Sequence, residues 1–417
     1  MTGALLRVRE SFWFLPAALG LLAVVLAEVL VLVDRTLPEV ATDRLFFLDA
    51  LSASGGRSLL SVIGSSMLTV AGTSFSITIS VLATTSSTYG PRLVRNFMAD
   101  RANQFVLATF TSTFLYAIVV MRTVHTEVDD ASAFVPVIAV HVAVLLGVLD
   151  VGVLVFFIHH IARSVQITSL QGRVMDDLRG VAAFVYPDEP GAGLSTDAAR
   201  ARPADAARNG TAGTAGTDGT TVRAAADGYV QAVAWEQLRR SAAGAGLVVD
   251  VVAMPGSHVI EGDVLVTTDR PAPSATVKAL RRSFTLGVAR TPHQDVSFAL
   301  QQLVEIAVRG LASGSNDPYT AVSALDHAAG VLVPLWRRGE AVTALVDDSG
   351  APLVRCSWPA VEELVDSVFD AVDTYAQDQP AVLEAATRLL RRLDEAAPPT
   401  REGRLAAHGA RLERALD

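Results

Sequence analysis

Four long stretches with almost no charged residue fill the first 165 residues of this 417-residue chain. About 20 apolar residues, at about 1.5 Å each, are enough for a helix to cross the ~30 Å hydrocarbon core of a bilayer. The first stretch is too long and too continuous for a cleaved signal sequence. We therefore predict a four-helix transmembrane domain over residues 1–165, with spans at about 12–33, 58–88, 102–121 and 134–161.

The second stretch is unusual because nearly half of it is serine or threonine. Between Arg57 and Arg92 lie 34 uncharged residues, of which 15 are Ser or Thr. An unpaired strand cannot satisfy its backbone hydrogen bonds in lipid, so the length of this uncharged stretch predicts a helix. The alternation from Ser76 to Ser80 is typical of a strand and opposes that assignment.

Arginines are distributed unevenly between the two ends of the spans. Eight lie before the first span, between the second and third, or after the fourth: Arg7, Arg9, Arg92, Arg95, Arg101, Arg163, Arg173 and Arg179. The opposite ends carry four arginines mixed with seven acidic residues. Because basic residues favour the cytoplasmic side, we predict that both termini and the whole second half of the chain are cytoplasmic.

The second half has the composition of soluble protein and divides into five segments. They are a membrane-proximal segment (166–190), an Ala/Gly/Thr-rich flexible linker (191–220), a β module (221–270), a mainly helical part (271–397) with a hairpin at 341–357, and a charged tail (398–417). The linker has too few large apolar residues to offset its ordering entropy. The predicted fold class is an α-helical membrane domain followed by a cytoplasmic α+β domain.

Two glycines in the β module, Gly256 and Gly262, mark tight turns six residues apart. This pattern resembles the turns of barrel-sandwich domains of the biotinyl and lipoyl type. The only lysine of the chain, Lys278, lies outside the motif, so we expect no attached prosthetic group.

Five blocks of the chain carry a further resemblance: Tyr89–Arg101, Thr111–Tyr116, Gly256–Leu265, Arg290–Asp295 and Gly314–Ala321. Together they resemble a bacterial membrane-protein family called domain of unknown function 2254. The resemblance implies a multi-pass inner-membrane protein with a cytoplasmic domain. It implies no particular activity.

The second span offers the first candidate functional surface. Hydroxyl side chains recur there every three or four residues, which places them on one face of a helix. We call this face the hydroxyl stripe: Ser65, Thr69, Thr73, Ser76, Ser80 and Thr84. In a homo-oligomer it is a candidate pore lining for a small ion. The alternative is close helix packing, which small residues also favour in lipid.

Among the ionisable residues of the predicted spans, three are candidates for a functional role: Asp150, His141 and Glu28. A carboxylate near the bilayer centre costs at least ~2.5 kcal/mol, so Asp150 is expected to face protein or water. His141, Arg122 and the hydroxyl stripe are its candidate partners. For Asp150 the two interpretations are a proton or cation relay and a structural hydrogen bond to another span. Glu28 lies close enough to the end of its own span to reach the membrane interface.

Five polar residues between the predicted cytoplasmic helices form a candidate ligand pocket: Arg290, Asp295, Asn316, Asp317 and Thr320. Helix capping and hydrogen bonds between helices are the alternative roles for them. The chain has no phosphate-binding loop, nucleophile elbow, zinc-protease motif or dinucleotide fingerprint, so we expect no enzymatic activity and no cofactor. With one cysteine the chain cannot form a site of several thiolate ligands, and we expect no other metal site. A net charge of −9 opposes a nucleic-acid partner.

Two functions agree with these features. The first is an ion channel or transporter, regulated by its cytoplasmic domain and assembled as a homo-oligomer in the lipid bilayer. The second is a membrane-anchored sensor or scaffold whose soluble domain binds a ligand or partner.

Reporter fusions test the predicted orientation. A fusion after Arg35 or after Asp129 is expected to be periplasmic, and one after Gln171 cytoplasmic, because the arginines hold their segments inside. Alkaline phosphatase and green fluorescent protein activities measure the two locations. A periplasmic signal after Gln171 would reverse the topology.

Overall fold

The structure, a computed structural model, describes residues 14–36, 52–89, 101–125, 134–164, 167–197 and 219–417. The predictions for Arg7, Arg9, Arg92 and Arg95, and for most of the linker, concern residues outside these ranges. The chain divides into two compact units, Met1–Ser169 (unit 1) and Leu170–Asp417 (unit 2).

Unit 1 contains four long helices in its described residues: α1 (Phe14–Thr36), α2 (Ala53–Tyr89), α3 (Arg101–Thr123) and α4 (Val137–Ser164). All four are long and apolar enough to cross a membrane, which confirms the four predicted helices. Helix α2 continues through the alternating segment Ser76–Ser80. A helix closes its backbone hydrogen bonds within itself, so the alternation there does not produce a strand.

Helix α3 packs against the other three helices of unit 1. Two groups of buried apolar side chains lie between the helices. The first apolar cluster lies where α1 and α3 end and α2 and α4 begin, and contains Ala23, Ala27, Val31, Leu60, Tyr116, Ala117, Val120, Val124, Ala139, Val140 and Ala143. The second apolar cluster lies toward the opposite ends of α3 and α4, and contains Ala71, Val106, Phe110, Phe157 and Ile161.

Three polar contacts join α1, α3 and α4. The carboxylate of Asp34 accepts hydrogen bonds from the first N–H groups of α4 at 3.1 and 3.0 Å, which caps that helix. The Tyr116 hydroxyl donates to the carbonyl of Ala139 at 2.8 Å. Arg122 forms an ion pair with Glu28 at 2.7 Å. These contacts fix the register of the helices at one end of the unit.

Helix α5 (Ile167–Val185) leads into unit 2, whose other described elements are nine short strands and seven helices. They are β1 (Leu194–Ser195), β2 (Thr221–Arg223), β3 (Gly228–Val233), α6 (Trp235–Ala245), β4 (Val249–Val251), β5 (His258–Val259), β6 (Val264–Thr268), α7 (Ser274–Arg282), β7 (Phe284–Gly287), α8 (Val296–Leu311), α9 (Pro318–Arg338), β8 (Ala344–Val346), β9 (Pro352–Arg355), α10 (Val361–Tyr375), α11 (Pro380–Ala396) and α12 (Ala406–Leu416).

The strands form two sheets. The larger has the order β1-β8-β9-β4-β6-β2, with β4 parallel to β9 and its other pairs antiparallel. The smaller has the order β5-β3-β7 and is antiparallel. Gly256 and Gly262 both have a φ of +93°, as tight turns require. No closed barrel forms among the described residues, so the barrel-sandwich resemblance is not confirmed.

Aspartates begin two helices of unit 2. Asp295 accepts a hydrogen bond from the N–H of Phe298 and caps α8. Asp317 accepts one from the N–H of Thr320 and caps α9, and Pro318 is the first residue of that helix. Both caps follow the preference of helix starts for a side-chain acceptor before an apolar run.

Two segments are more ordered than their composition predicts. At the start of the predicted linker, Leu194–Ser195 pairs with β8 as a sheet edge. In the predicted charged tail, α12 buries Leu412 and His408, and the His408 ring lies 2.8 Å from Asp366 of α10. Both segments are ordered because the rest of unit 2 supplies hydrogen-bonding partners for them. Composition describes only the isolated segment and does not include these partners.

Replacing Gly256 by alanine is expected to destabilise unit 2 by about 2 kcal/mol or more, through strain at positive φ and overlap with a neighbour. A Cβ atom there would coincide with the Asp295 carboxylate. The measurement is the unfolding transition of the detergent-solubilised chain. Gly244→Ala is the control, because Gly244 lies in α6 with open space around it and should gain roughly 0.5–1 kcal/mol. Equal transitions for both variants would contradict the predicted overlap.

Candidate functional site

Asp150 lies near the middle of α4, and its side chain is buried inside unit 1. Only 1% of the residue is exposed. Along α4, Ala143 of the first apolar cluster lies about two turns before it and Phe157 of the second about two turns after it. Thr113, on α3 and also 1% exposed, interacts with the carboxyl group. Asp150 and Thr113 thus form a polar layer between two apolar clusters.

Within the described residues, neither carboxylate oxygen of Asp150 accepts a hydrogen bond of good geometry, the Thr113 contact included. The partners expected from the sequence are engaged elsewhere. The His141 ring lies 2.8 Å from a carbonyl of its own helix, and Arg122 pairs with Glu28. The structure therefore brings none of these side chains to Asp150.

A buried carboxylate without a partner is stable only when it is neutral or when positive charge reaches it. Removing an ionised carboxylate from water costs several kcal/mol even after relaxation. Taking up a proton, or admitting a cation or water, removes most of that cost. The carboxyl group of Asp150 is therefore a candidate site for a proton or a small cation.

Asn103, near the start of α3, is a second buried polar residue of unit 1. It is 5% exposed, and both atoms of its amide lack a hydrogen-bond partner within the described part of the chain. The sequence analysis considered ionisable residues and the hydroxyl residues of the second span. It therefore missed Asn103 and Thr113, which both lie on the third. An amide inside an apolar span is the signal that identifies Asn103, because it needs a partner in lipid.

The hydroxyl stripe lies on the side of α2 that faces away from the other helices of unit 1. All six of its residues are exposed, whereas the buried positions among the described side chains of α2 are Gly56, Leu60, Gly64, Ala71, Ser74 and Thr78. The stripe is therefore not in contact with Asp150. A second copy of the chain, lipid or water is left to cover it.

Four hydroxyls of the stripe are already bonded within their own helix. Those of Ser65, Thr69, Thr73 and Thr84 donate to the carbonyl four residues earlier at 2.8–3.0 Å. A hydroxyl that has donated its hydrogen offers only oxygen lone pairs to its surroundings. This side of α2 therefore favours cations over anions.

The five polar residues predicted as a cytoplasmic pocket fall into two groups. Arg290 and Asp295 form an ion pair and line a cavity. Asn316, Asp317 and Thr320 lie elsewhere, at the start of α9. There the carbonyl of Thr320 accepts a hydrogen bond from the Gln171 side chain of α5 at 3.1 Å. The second group therefore joins α5 to α9.

Comparison with known proteins identifies a family of predicted membrane proteins. A family model described as "Predicted membrane protein (DUF2254)" matches residues 9–392. Two similar proteins, uncharacterized protein Mb1321c of Mycobacterium bovis and uncharacterized protein Rv1290c of Mycobacterium tuberculosis, are each 30% identical over 341 residues, or 80% of this chain. The chain spans 63% of the length of these relatives. No solved structure matches it.

Cysteine labelling tests whether the hydroxyl stripe faces water. Single cysteines at Ser65, Thr69, Ser76 and Ser80 are expected to react with a charged, membrane-impermeant thiol reagent, because the reactive thiolate forms only where water reaches it. The background is Cys356→Ala. The native thiol is itself inert, since burial raises the pKa of Cys356 to about 12.

Two sets of controls separate water from lipid and from protein. Cysteines at Ile63 and Met67, which pack against the apolar clusters, should stay unlabelled. Cysteines at Leu68 and Ile79, exposed but outside the stripe, should be covered by lipid. Protection of the whole stripe would support helix packing and oppose a pore.

Proposed function

This chain belongs to the family of predicted membrane proteins called domain of unknown function 2254, and from that premise we propose that it transports a proton or another small cation. Asp150 is the intramembrane group that carries the proposal. Its carboxyl group is buried at mid-helix, between two apolar clusters, and has no hydrogen-bond partner of good geometry in the described residues. A permanently ionised group would be unstable there, whereas one that binds and releases positive charge has a function there.

Apolar clusters on both sides of Asp150 suit transport better than a static hydrogen bond. They keep bulk water from crossing the unit, so that an ion reaches the carboxyl group only when the helices move. A structural role would rest on the Thr113 contact, which falls short of good hydrogen-bond geometry, because His141 and Arg122 are engaged elsewhere. The hydrogen-bonding state of Asp150 therefore favours transport.

The hydroxyl stripe supports a second path for cations, at the axis of a homo-oligomer. Its oxygens offer lone pairs on the side of α2 that its own bundle leaves uncovered. Both paths select positive charge. They differ in that the Asp150 path operates within one copy, whereas the stripe requires several.

In this proposal the membrane is the bacterial inner membrane and both termini are cytoplasmic, as the distribution of arginines favours. Unit 2, with its barrel-sandwich-like turns at Gly256 and Gly262, regulates transport and has no catalytic role. Helix α5 follows α4 directly in the sequence, and through Gln171 it is bonded to Thr320 and Ser323 of α9. These bonds are a route by which a change in unit 2 reaches α5.

A membrane-anchored sensor or scaffold is the second candidate function. The cavity beside Arg290 and Asp295 in unit 2 favours it, because a binding module needs such a site. In a sensor the membrane helices serve as an anchor. Liposomes that contain the protein would then conduct no more than empty liposomes.

Flux through liposomes tests the transport proposal. Purified full-length protein should dissipate a proton or monovalent-cation gradient faster than empty liposomes do. Asp150→Asn should lower that rate about tenfold or more, because the amide neither ionises nor takes up a proton. A pH-sensitive dye and a thallium-sensitive dye inside the vesicles distinguish the two kinds of ion.

Glu28→Gln is the matched control. It removes a carboxylate of the same bundle that is half exposed and paired with Arg122, and its flux should equal that of the wild type. Gel filtration and circular dichroism confirm that both variants are folded. Wild-type flux in folded Asp150→Asn protein would refute the role of Asp150, and no flux in any sample would favour the sensor.

A further inference from the structure

Unit 2 contains a cavity of about 450 Å³ whose walls come from three separate segments of the chain. Its lining residues are Met254–Ser257, Arg290, Asp295–Ser297, Ser357–Pro359 and Glu363. Ligand sites typically occupy about 300–1,000 Å³, so the cavity has the size of a site for a small molecule. Its lining is mixed, with charged side chains, three serines and an indole ring.

Backbone and side-chain contacts build the wall around Gly256. At a φ of +93° this residue brings its Cα against the carboxylate of Asp295. The N–H of Gly256 donates to the carbonyl of Val230 at 2.8 Å, which ties the turn to β3. Asp295 is fixed in turn because it caps α8. The wall is therefore preorganised by contacts that do not involve a ligand.

The positive charge of Arg290 is neutralised inside this wall. Its Nε and Nη2 atoms donate to the two oxygens of Asp295 at 2.8 and 2.9 Å. Nη1 lies 3.3 Å from the side-chain oxygen of Gln301, and the guanidinium lies over the ring of Phe298 at 5.0 Å. A bidentate pair of this kind fixes both partners and cancels their charges. Arg290 is thus committed to the wall and is a poor receptor for an anion.

Glu363, on the first turn of α10, is the charged group of the cavity lining that this pair leaves unbalanced. Its neighbour Glu362 is paired with Arg401, whereas the Glu363 side chain is exposed and has no ion pair within the described residues. One carboxylate, serine oxygens and the indole of Trp358 form a lining that attracts an ammonium group and holds an alkyl chain.

We propose that this cavity binds a small organic cation, a short-chain primary amine in its ammonium form, with Glu363 as the counter-ion. The ammonium group is held by the Glu363 carboxylate, and the alkyl chain packs along Trp358 and Met254. Ser257, Ser297 and Ser357 accept hydrogen bonds from a second amino group.

The cavity is linked to α5 by one short hydrogen bond. Pro359, a lining residue, accepts it through its carbonyl from the hydroxyl of Tyr186 at 2.6 Å. Burial, together with the nearby charges of Glu363 and Glu362, raises the pKa of Tyr186, so its hydroxyl stays a donor at physiological pH. An amine at Glu363 is therefore placed to regulate transport through α5. This regulatory step rests on the proposed function, whereas amine binding does not.

Isothermal titration calorimetry on the full chain in detergent, with butane-1,4-diamine as the probe, tests the binding. We expect saturable binding to the wild type and about tenfold or more weaker binding to Glu363→Gln, because a charge-assisted hydrogen bond is lost. Ser257→Ala should weaken binding by a few fold, since it removes one neutral hydrogen bond. Glu384→Gln, an exposed glutamate of α11, is the matched control and should bind as the wild type does.

The possible results separate the proposal from its rivals. No saturable heat with the wild type would overturn it, as would equal weakening by Glu363→Gln and Glu384→Gln, which would indicate general charge attraction. Binding of butanedioate that is lost in Arg290→Gln would assign the cavity to anions instead. Amine binding is measured without an ion gradient, so a failure to detect ion flux would not contradict the amine-binding proposal. A failure to detect amine binding would not contradict transport through Asp150.

Discussion

The hydrocarbon core of a bilayer offers no hydrogen-bonding partners, so the polar groups of unit 1 must find their partners within the protein. This constraint makes α2 a continuous helix in spite of 15 hydroxyl residues between Arg57 and Arg92, because a helix satisfies its own backbone. It directs stripe hydroxyls onto carbonyls of the preceding turn. It also explains why Asp34 caps α4 and why Arg122 is paired. Within the described residues, the carboxyl group of Asp150 and the amide of Asn103 are the exceptions to this pattern of satisfied groups, and of the two only Asp150 can ionise.

The central position of α3 determines what can reach Asp150. Because α3 contacts all three other helices, its buried side chains belong to both apolar clusters. Thr113 lies between them on this helix, so a small rotation or shift of α3 against α4 would change the surroundings of Asp150 without breaking the packing at the end held by Tyr116. Bundles with polar layers between apolar ones are suited to such two-state changes, because packed interfaces prefer discrete arrangements.

Helix positions in unit 1 followed from the sequence because length and absence of charge are local properties. Helix capping, given as the alternative role of Asp295 and Asp317, is also a local property, and the structure shows both residues as caps. The side-chain partners did not follow. His141 and Asp150 share α4, and their spacing along it places the two side chains on opposite faces of that helix. Arg122 lies on α3, so whether it reaches Asp150 depends on packing between helices. In unit 2, β4 pairs with β9 across about 100 residues, a contact that no local pattern encodes.

The glycines of unit 2 also show what a local sequence pattern can and cannot predict. The turns at Gly256 and Gly262 were visible as turns, and their positive φ values agree, but a turn does not specify which sheet its strands enter. The reason for glycine at 256 is the carboxylate of Asp295, 39 positions later, and that carboxylate in turn neutralises Arg290. The absence of a side chain at Gly256 leaves room for the Asp295 carboxylate and its pair with Arg290, so that Glu363 is the remaining charged group of the cavity lining.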